Sequence, residues 1–182
     1  MNTETHWINW TDMAPEAIVS LFQETFSQAA DDAEGRVVSE LVRALIDTTP
    51  TDDLYGFVGL QNRTLVAAVF FSRLRFEALD ACFLLSPLAV LPSRQRQGLG
   101  QRLVRHAIAK LRANHAAALF TYGDPAYYSK VGFAPVSIDE ACPPYPLSQP
   151  EGWLFQALSA RVSLPLRGKA RCVSAMQDPT IW

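Results

Sequence analysis

Cysteine is scarce in this chain: Cys82, Cys142 and Cys172 are the only three in 182 residues. An odd number at such wide spacing fits neither a disulfide framework nor a zinc site, so reduced thiols in a cytoplasm are expected and no metal is implied. Long apolar runs are missing as well. The two longest, "LVAAVFF" at 65–71 and "ACFLLSPLAVL" at 81–91, fall short of the ~30 Å core of a bilayer and read as buried strands, so no membrane partner is expected. The opening "MNTETHWINW" has no basic region followed by an apolar one, which argues against an export signal. Internal repeats and low-complexity tracts are absent too.

Acidic charge is missing where it matters most. From Ala81 to Gly123 there is no Asp or Glu, yet Arg94, Arg96, Arg102, Arg105, Lys110 and Arg112 all fall inside that stretch. The whole chain carries a formal charge of −2, which argues against a general nucleic-acid binder. A cationic segment in an otherwise anionic protein implies a local anionic ligand.

What is present is enough for one core. With 49% hydrophobic residues the chain can bury about two-thirds of its unfolded surface, and a single domain over 1–182 is expected. Helical spacing of Ile18, Leu21, Phe22 and Phe26 predicts a helix over 15–28, opened by Asp12 or Pro15. A second helix follows, with Val37, Val38, Leu41, Val42, Leu45 and Ile46 on its apolar face. "LYGFVGL" (54–60) and "TLVAAVFFSRL" (64–74) read as strands joined by a hairpin-length turn, and "CFLLSPLAVL" (82–91) and "AALFTY" (117–122) as two more. Between the last two, Leu99, Leu103, Val104, Ala107, Ile108 and Leu111 form a stripe at 3.6 spacing, which makes a βαβ unit. "GDPAYYSKV" reads as a short helix capped by Asp124, begun by Pro125 and stopped by Gly132. "GFAPVS" turns into a further strand and "WLFQAL" (153–158) into another; the tail over 150–182 is less legible.

Pro87 cannot donate to a sheet ladder, and its strand is too apolar for an exposed edge. A bulge or splay at 86–89 is therefore expected, freeing backbone groups there. The next turn carries the chemistry. Arg94 and Arg96 sit just before a helix N-terminus, where each costs a few tenths of a kcal/mol unless an anion binds nearby. Backbone amides at a glycine-containing strand-to-helix turn make such a site. A triphosphate loop needs Lys-Ser or Lys-Thr after its glycine, and a dinucleotide loop needs a third glycine where Leu103 stands; both are excluded.

What remains is Gln95-x-x-Gly98-x-Gly100 after Val90-Leu91-Pro92, followed at the short helix by Tyr128-x-x-x-Gly132-Phe133. Together these resemble motif A and the Y-x-x-x-G-F motif of the GNAT superfamily of acyl-CoA-dependent N-acetyltransferases, in its YhbS-like branch. The motifs cover about 83–136. The resemblance implies an α/β fold with a mixed twisted sheet of about six or seven strands and about four helices, splayed at the bulged fourth strand. It implies acetyl-CoA as cosubstrate and a small-molecule or peptide amine as acceptor.

By resemblance, the amides of Arg96, Gln97, Gly98, Leu99, Gly100 and Gln101 lie about the CoA pyrophosphate, and Gln95 is counted among the cofactor-binding residues. Leu88, Ala89 and Val90 offer main-chain groups to the pantetheine arm, Lys130 reaches toward phosphates, and Tyr128 protonates the departing thiolate. Arg96 stands where many members have glycine. No general base is nominated: Glu77 and Asp80 precede the bulge, and His6, His106 and His115 read as surface or capping residues. Glu24, Asp31, Asp32 and Glu34 read as a solvated helix face. The rival reading is a catalytically silent CoA-binding regulatory module. The final "MQDPTIW" leaves Ile181 and Trp182 as odd residues to place in water, so a homodimer contact is a further expectation.

Overall fold

The computed structural model describes residues 4–182; the first three residues, part of the stretch read for an export signal, lie outside it. Four α-helices and eight strands follow in the order β1 (His6–Asn9), α1 (Pro15–Ala29), α2 (Asp32–Thr48), β2 (Leu54–Gln61), β3 (Thr64–Phe76), β4 (Leu79–Val90), α3 (Leu99–Ala113), β5 (Ala118–Tyr122), α4 (Pro125–Tyr128), β6 (Ala134–Pro135), β7 (Trp153–Ala157) and β8 (Arg171–Cys172). The sheet is mixed, with hydrogen-bonded order β1-β2-β3-β4-β5-β7-β6 and β8 paired to β3. β4 and β5 are parallel, as the βαβ reading requires. Asn62 and Arg63, with φ of 48° and 65°, form the two-residue loop between β2 and β3, the backbone of a type I′ turn.

The chain folds as two compact units. One is built from the residues up to Phe70 together with Pro87–Ile108. In it α1 starts at Pro15 in the first helical position, and Asp31 caps α2 by accepting from the Glu34 amide at 2.9 Å. Ile18, Leu21 and Phe22 of α1 and Val38, Val42 and Leu45 of α2 are buried, whereas Val37, expected on the apolar face, is 47% exposed. A helix has room for only part of its circumference against a core, and the α2 stripe is narrower than the run of apolar residues. His106, read as a surface or capping residue, is half-buried between the Trp7 and Phe57 rings, at 6.2 and 5.7 Å. Glu24, Asp31, Asp32 and Glu34 are all exposed.

The second unit comprises Phe71–Ser86 and Ala109–Trp182. Its core centres on Phe120, whose ring meets Phe76 at 5.4 Å, Trp153 at 5.0 Å and Phe155 at 5.2 Å. Trp182 packs on Trp153 at 6.3 Å, is 6% exposed and donates Nε1–H to the Met176 carbonyl at 3.0 Å. Of the two residues that prompted the expectation of a homodimer contact, the chain buries Trp182 by itself and leaves Ile181 half-buried. His115 ends α3 with φ of 62°, while the Ala116 amide donates to Leu111 and that of His115 to Arg112, so its capping role stands.

Candidate active site

The glycine turn belongs to the first unit. Leu91 is fastened to β3 through its amide, which donates to Val66 at 2.8 Å, and a 3₁₀ turn over Pro92–Arg94 follows. Gln95 then reaches back, donating Nε2–H to the Val90 carbonyl at 3.1 Å. The first residue of the Gln-x-x-Gly-x-Gly pattern therefore ties the loop to the strand end. Thr25 of α1 donates to the same carbonyl at a longer 3.4 Å. Leu88 is half-buried, Ala89 buried and Val90 half-buried. Of the main-chain groups expected to face a ligand here, the Val90 carbonyl already has partners.

Beyond Gln95 the backbone turns through two left-handed residues, Arg96 at φ 61° and Gly98 at φ 72°. An L side chain costs about 1–2 kcal/mol in that region, which is the physical reason glycine suits the position Arg96 holds. Gly98 is exposed, and a Cβ built on it would meet nothing within 4 Å. The first intrahelical bond of α3 runs from the Arg102 amide to the Gly98 carbonyl at 3.1 Å. Helix geometry therefore gives the amides of Leu99, Gly100 and Gln101 no intrahelical acceptor. Gln97, like Arg96, is exposed; Leu99 and Gly100 are buried and Gln101 half-buried. An open approach over Gly98, a positive helix end and two flanking arginines together fit a diphosphate.

The strand that leads to this loop loses its β5 ladder just before 86–89, where a bulge or splay is expected. Its parallel ladder with β5 runs from Cys82↔Ala118 to Leu85↔Thr121, and β4 continues to Val90. The chain passes from one compact unit to the other between Ser86 and Pro87. Pro87 is buried without breaking the strand, and the Leu91 amide still pairs with Val66. At the ladder's end the Thr121 hydroxyl donates to the Leu85 carbonyl at 3.0 Å.

In the second unit, Tyr128 closes α4, whose start Asp124 caps by accepting from the Ala126 amide at 2.8 Å. The Tyr128-x-x-x-Gly132-Phe133 spacing proves to be a Schellman motif: the Phe133 amide donates to the Tyr128 carbonyl and that of Gly132 to Ser129, both at 3.2 Å. Gly132 takes φ 99°, and a Cβ on it would strike Gln156 at 2.6 Å. The Phe133 ring meets Tyr128 edge-on at 5.8 Å, and Tyr127 does the same at 5.1 Å. Burial pushes the Tyr128 phenol up to about 12, and Thr121 is hydrogen-bonded to it. The phenol is thus protonated throughout the physiological range. Lys130 is exposed in the following 3₁₀ turn.

A groove of about 600 Å³ opens beside this helix, lined by Tyr122, Asp124, Ser148, Gln149 and Glu151 among others. The Tyr122 hydroxyl shapes it, hydrogen-bonded to Ser148 Oγ at 2.8 Å and accepting from the Gln149 amide at 2.7 Å. The Gly123 amide donates to the Gly152 carbonyl at 3.0 Å and holds its floor. Sequence reading named Asp124 as a helix cap and assigned none of these side chains to a groove. Thr25 and Thr121 were also missed; each is a polar residue on an otherwise apolar face, a signal that was legible.

A family model described as an acetyltransferase (GNAT) domain matches residues 43–135. The chain is 31% identical over 140 residues to the uncharacterized N-acetyltransferase YjhQ of Escherichia coli strain K12, covering 74% of this chain and 77% of that protein. Among solved structures it resembles the GNAT family N-acetyltransferase YhbS of Escherichia coli in complex with CoA, with a TM-score of 0.80 and 20% identity over 98% of this chain and 94% of that one. A GNAT family acetyltransferase from Brucella melitensis in complex with acetyl-CoA matches at a TM-score of 0.69 and 20% identity, covering 96% and 99% of the two chains.

Proposed function

The chain belongs to the GNAT family of N-acetyltransferases, and we propose that it moves an acetyl group from acetyl-CoA to a primary amine of a small molecule or peptide, by direct attack with both substrates bound. The observation that carries this reading is the turn at Gly98: left-handed, open above its Cα, and leading into amides that the helix cannot satisfy. In the proposal the amides of Arg96 to Gln101 hold the pyrophosphate, with Arg94 and Arg96 supplying countercharge. Acetyl-CoA supplies an activated thioester carbonyl. CoA complexes of the two structural relatives support the choice of cosubstrate.

For the chemistry, a main-chain N–H at Leu88, Ala89 or Val90 steadies the developing oxyanion, Tyr128 donates its proton to the sulfur as the carbon–sulfur bond breaks, and the proton shed by the amine nitrogen passes to water and restores the phenol. A free thiol ordinarily titrates near 8.5, which makes its thiolate a weak base toward a phenol at about 12. Dry surroundings narrow that gap, because burial also raises thiols; Cys82 of this same chain is pushed up to about 12 by its own burial. Tyr128 therefore serves best as a hydrogen-bond donor that gives up its proton as the bond to sulfur breaks. Placing two reactants side by side is worth the larger share, about 7–11 kcal/mol.

The groove with Asp124 and Glu151 favours a cationic acceptor, because two carboxylates at its rim attract an ammonium group. Thiol release from acetyl-CoA across a panel of metabolite and peptide amines tests the proposal. Release with at least one amine is expected. CoA binding without release for every amine would make the chain a silent CoA-binding module instead.

A further inference from the structure

The stretch before β8 is woven into the second unit by main-chain bonds. The Leu166 amide donates to Glu140 at 2.7 Å and the Ala170 amide to Cys142 at 2.9 Å, while Cys142 and Lys169 form a parallel bridge. β8 then pairs antiparallel with β3, placing Arg171 directly opposite Arg75. Directly opposed residues share a face of the sheet with Cβ atoms about 5 Å apart, and like charges there are unfavourable. Lys169 precedes Arg171 by two residues, so extended backbone points it to the same side. Its ammonium lies 5.5 Å from the centre of the Tyr145 ring, and Tyr145 is itself held by donating to the Gln177 carbonyl at 3.1 Å.

A cavity of about 290 Å³ opens among these residues, with Pro144, Tyr145 and Ala170 as apolar wall and Lys169 and Arg171 at its rim. No Asp or Glu lines it. Two carboxylates of this region lie outside the lining and hold turns: Asp178 accepts from Thr180 at 2.9 and 2.8 Å, and Glu140 from Ser137 at 3.0 and 2.9 Å. Glu77 does reach this segment, lying so close over Gly168 that a Cβ there would meet its Cγ at 2.6 Å. Lys169 and Arg171 thus bring two positive charges to a lining that holds no carboxylate.

We propose that this cavity is a second anion site, taking a phosphate monoester whose small apolar body rests against Pro144 and Tyr145. The two lining charges match a phosphate dianion, and the Arg171 guanidinium fork beside the Lys169 ammonium is suited to its oxygens. The apolar wall selects an esterified phosphate over the free ion.

Phenyl phosphate, titrated calorimetrically into the full chain at constant ionic strength, with and without saturating CoA, tests the site. Saturable binding is expected in both conditions, tighter than for inorganic phosphate and absent for phenol. Lys169→Gln with Arg171→Gln should weaken it at least tenfold. Both side chains are exposed, so the fold tolerates their neutralisation; Lys169→Gln alone, expected to weaken binding severalfold, serves as the second variant. Undetectable binding by the wild type, equal affinity in wild type and both variants, or complete loss of binding when CoA fills the glycine turn would each overturn the proposal.

Discussion

Gly98→Ala separates what the glycine does for the fold from what it does for the ligand. At φ 72° an alanine is strained by about 1–2 kcal/mol. Steric cost adds nothing, since the new methyl would meet no protein atom within 4 Å. Stability should therefore fall by only about 1–2 kcal/mol in urea denaturation. The methyl nevertheless occupies the open space over the turn that a pyrophosphate would use. Displacing one charge-assisted bond from an amide costs about 1.5–3 kcal/mol, or roughly a tenfold to hundredfold rise in the Kd for CoA. Calorimetry with CoA on the folded variant reads this directly. Unchanged affinity together with the lower stability would refute the placement of the diphosphate at this turn.

Other perturbations probe the neighbouring links. Arg96→Gly relieves the left-handed strain at φ 61° and should raise stability by up to about 1 kcal/mol in urea, while the lost charge flattens the salt dependence of CoA binding. Tyr128→Phe should lower kcat by roughly 10²–10⁴-fold and leave CoA affinity nearly unchanged; undiminished turnover in steady-state assays would remove the acid. Cys82 and Tyr128 both have folded pKa values raised to about 12, above ordinary values of 9.0 and 10.0, so the stability they contribute is complete below about pH 9 and lost as pH rises toward 12. Denaturant midpoints between pH 8 and 11 should fall, and Cys82→Ala should flatten that limb. Trp182→Ala should cost about 3–5 kcal/mol, because it empties a buried site against Trp153 and leaves the Met176 carbonyl only the weak Cys172 thiol donor; Trp182→Phe should cost less than half as much by the same denaturation.

Much of this architecture was legible before any coordinates. The stripe on α3, its six apolar positions all buried in the structure, needed only the 3.6-residue period. Both motifs were visible as spacings, and the gap in acidic charge from Ala81 to Gly123 pointed to an anion at the turn that carries the first of them. β1 and β8 were not legible: four and two residues are too short to show an alternation, and their pairing depends on partners far along the chain.

Local physics thus wrote the helices, the hairpin, the capped turns and the glycine loop into the order of the residues. Their determinants lie within a few positions of one another, as in the Schellman spacing that sets Phe133 on Tyr128. Tertiary structure decided everything that joins distant residues. It put the Gln95 amide and the Thr25 hydroxyl on one carbonyl, folded Trp182 onto Trp153, raised the Tyr128 phenol by burying it, and set Arg171 against Arg75. Those outcomes depend on which groups lose their water together, and no local pattern carries that information.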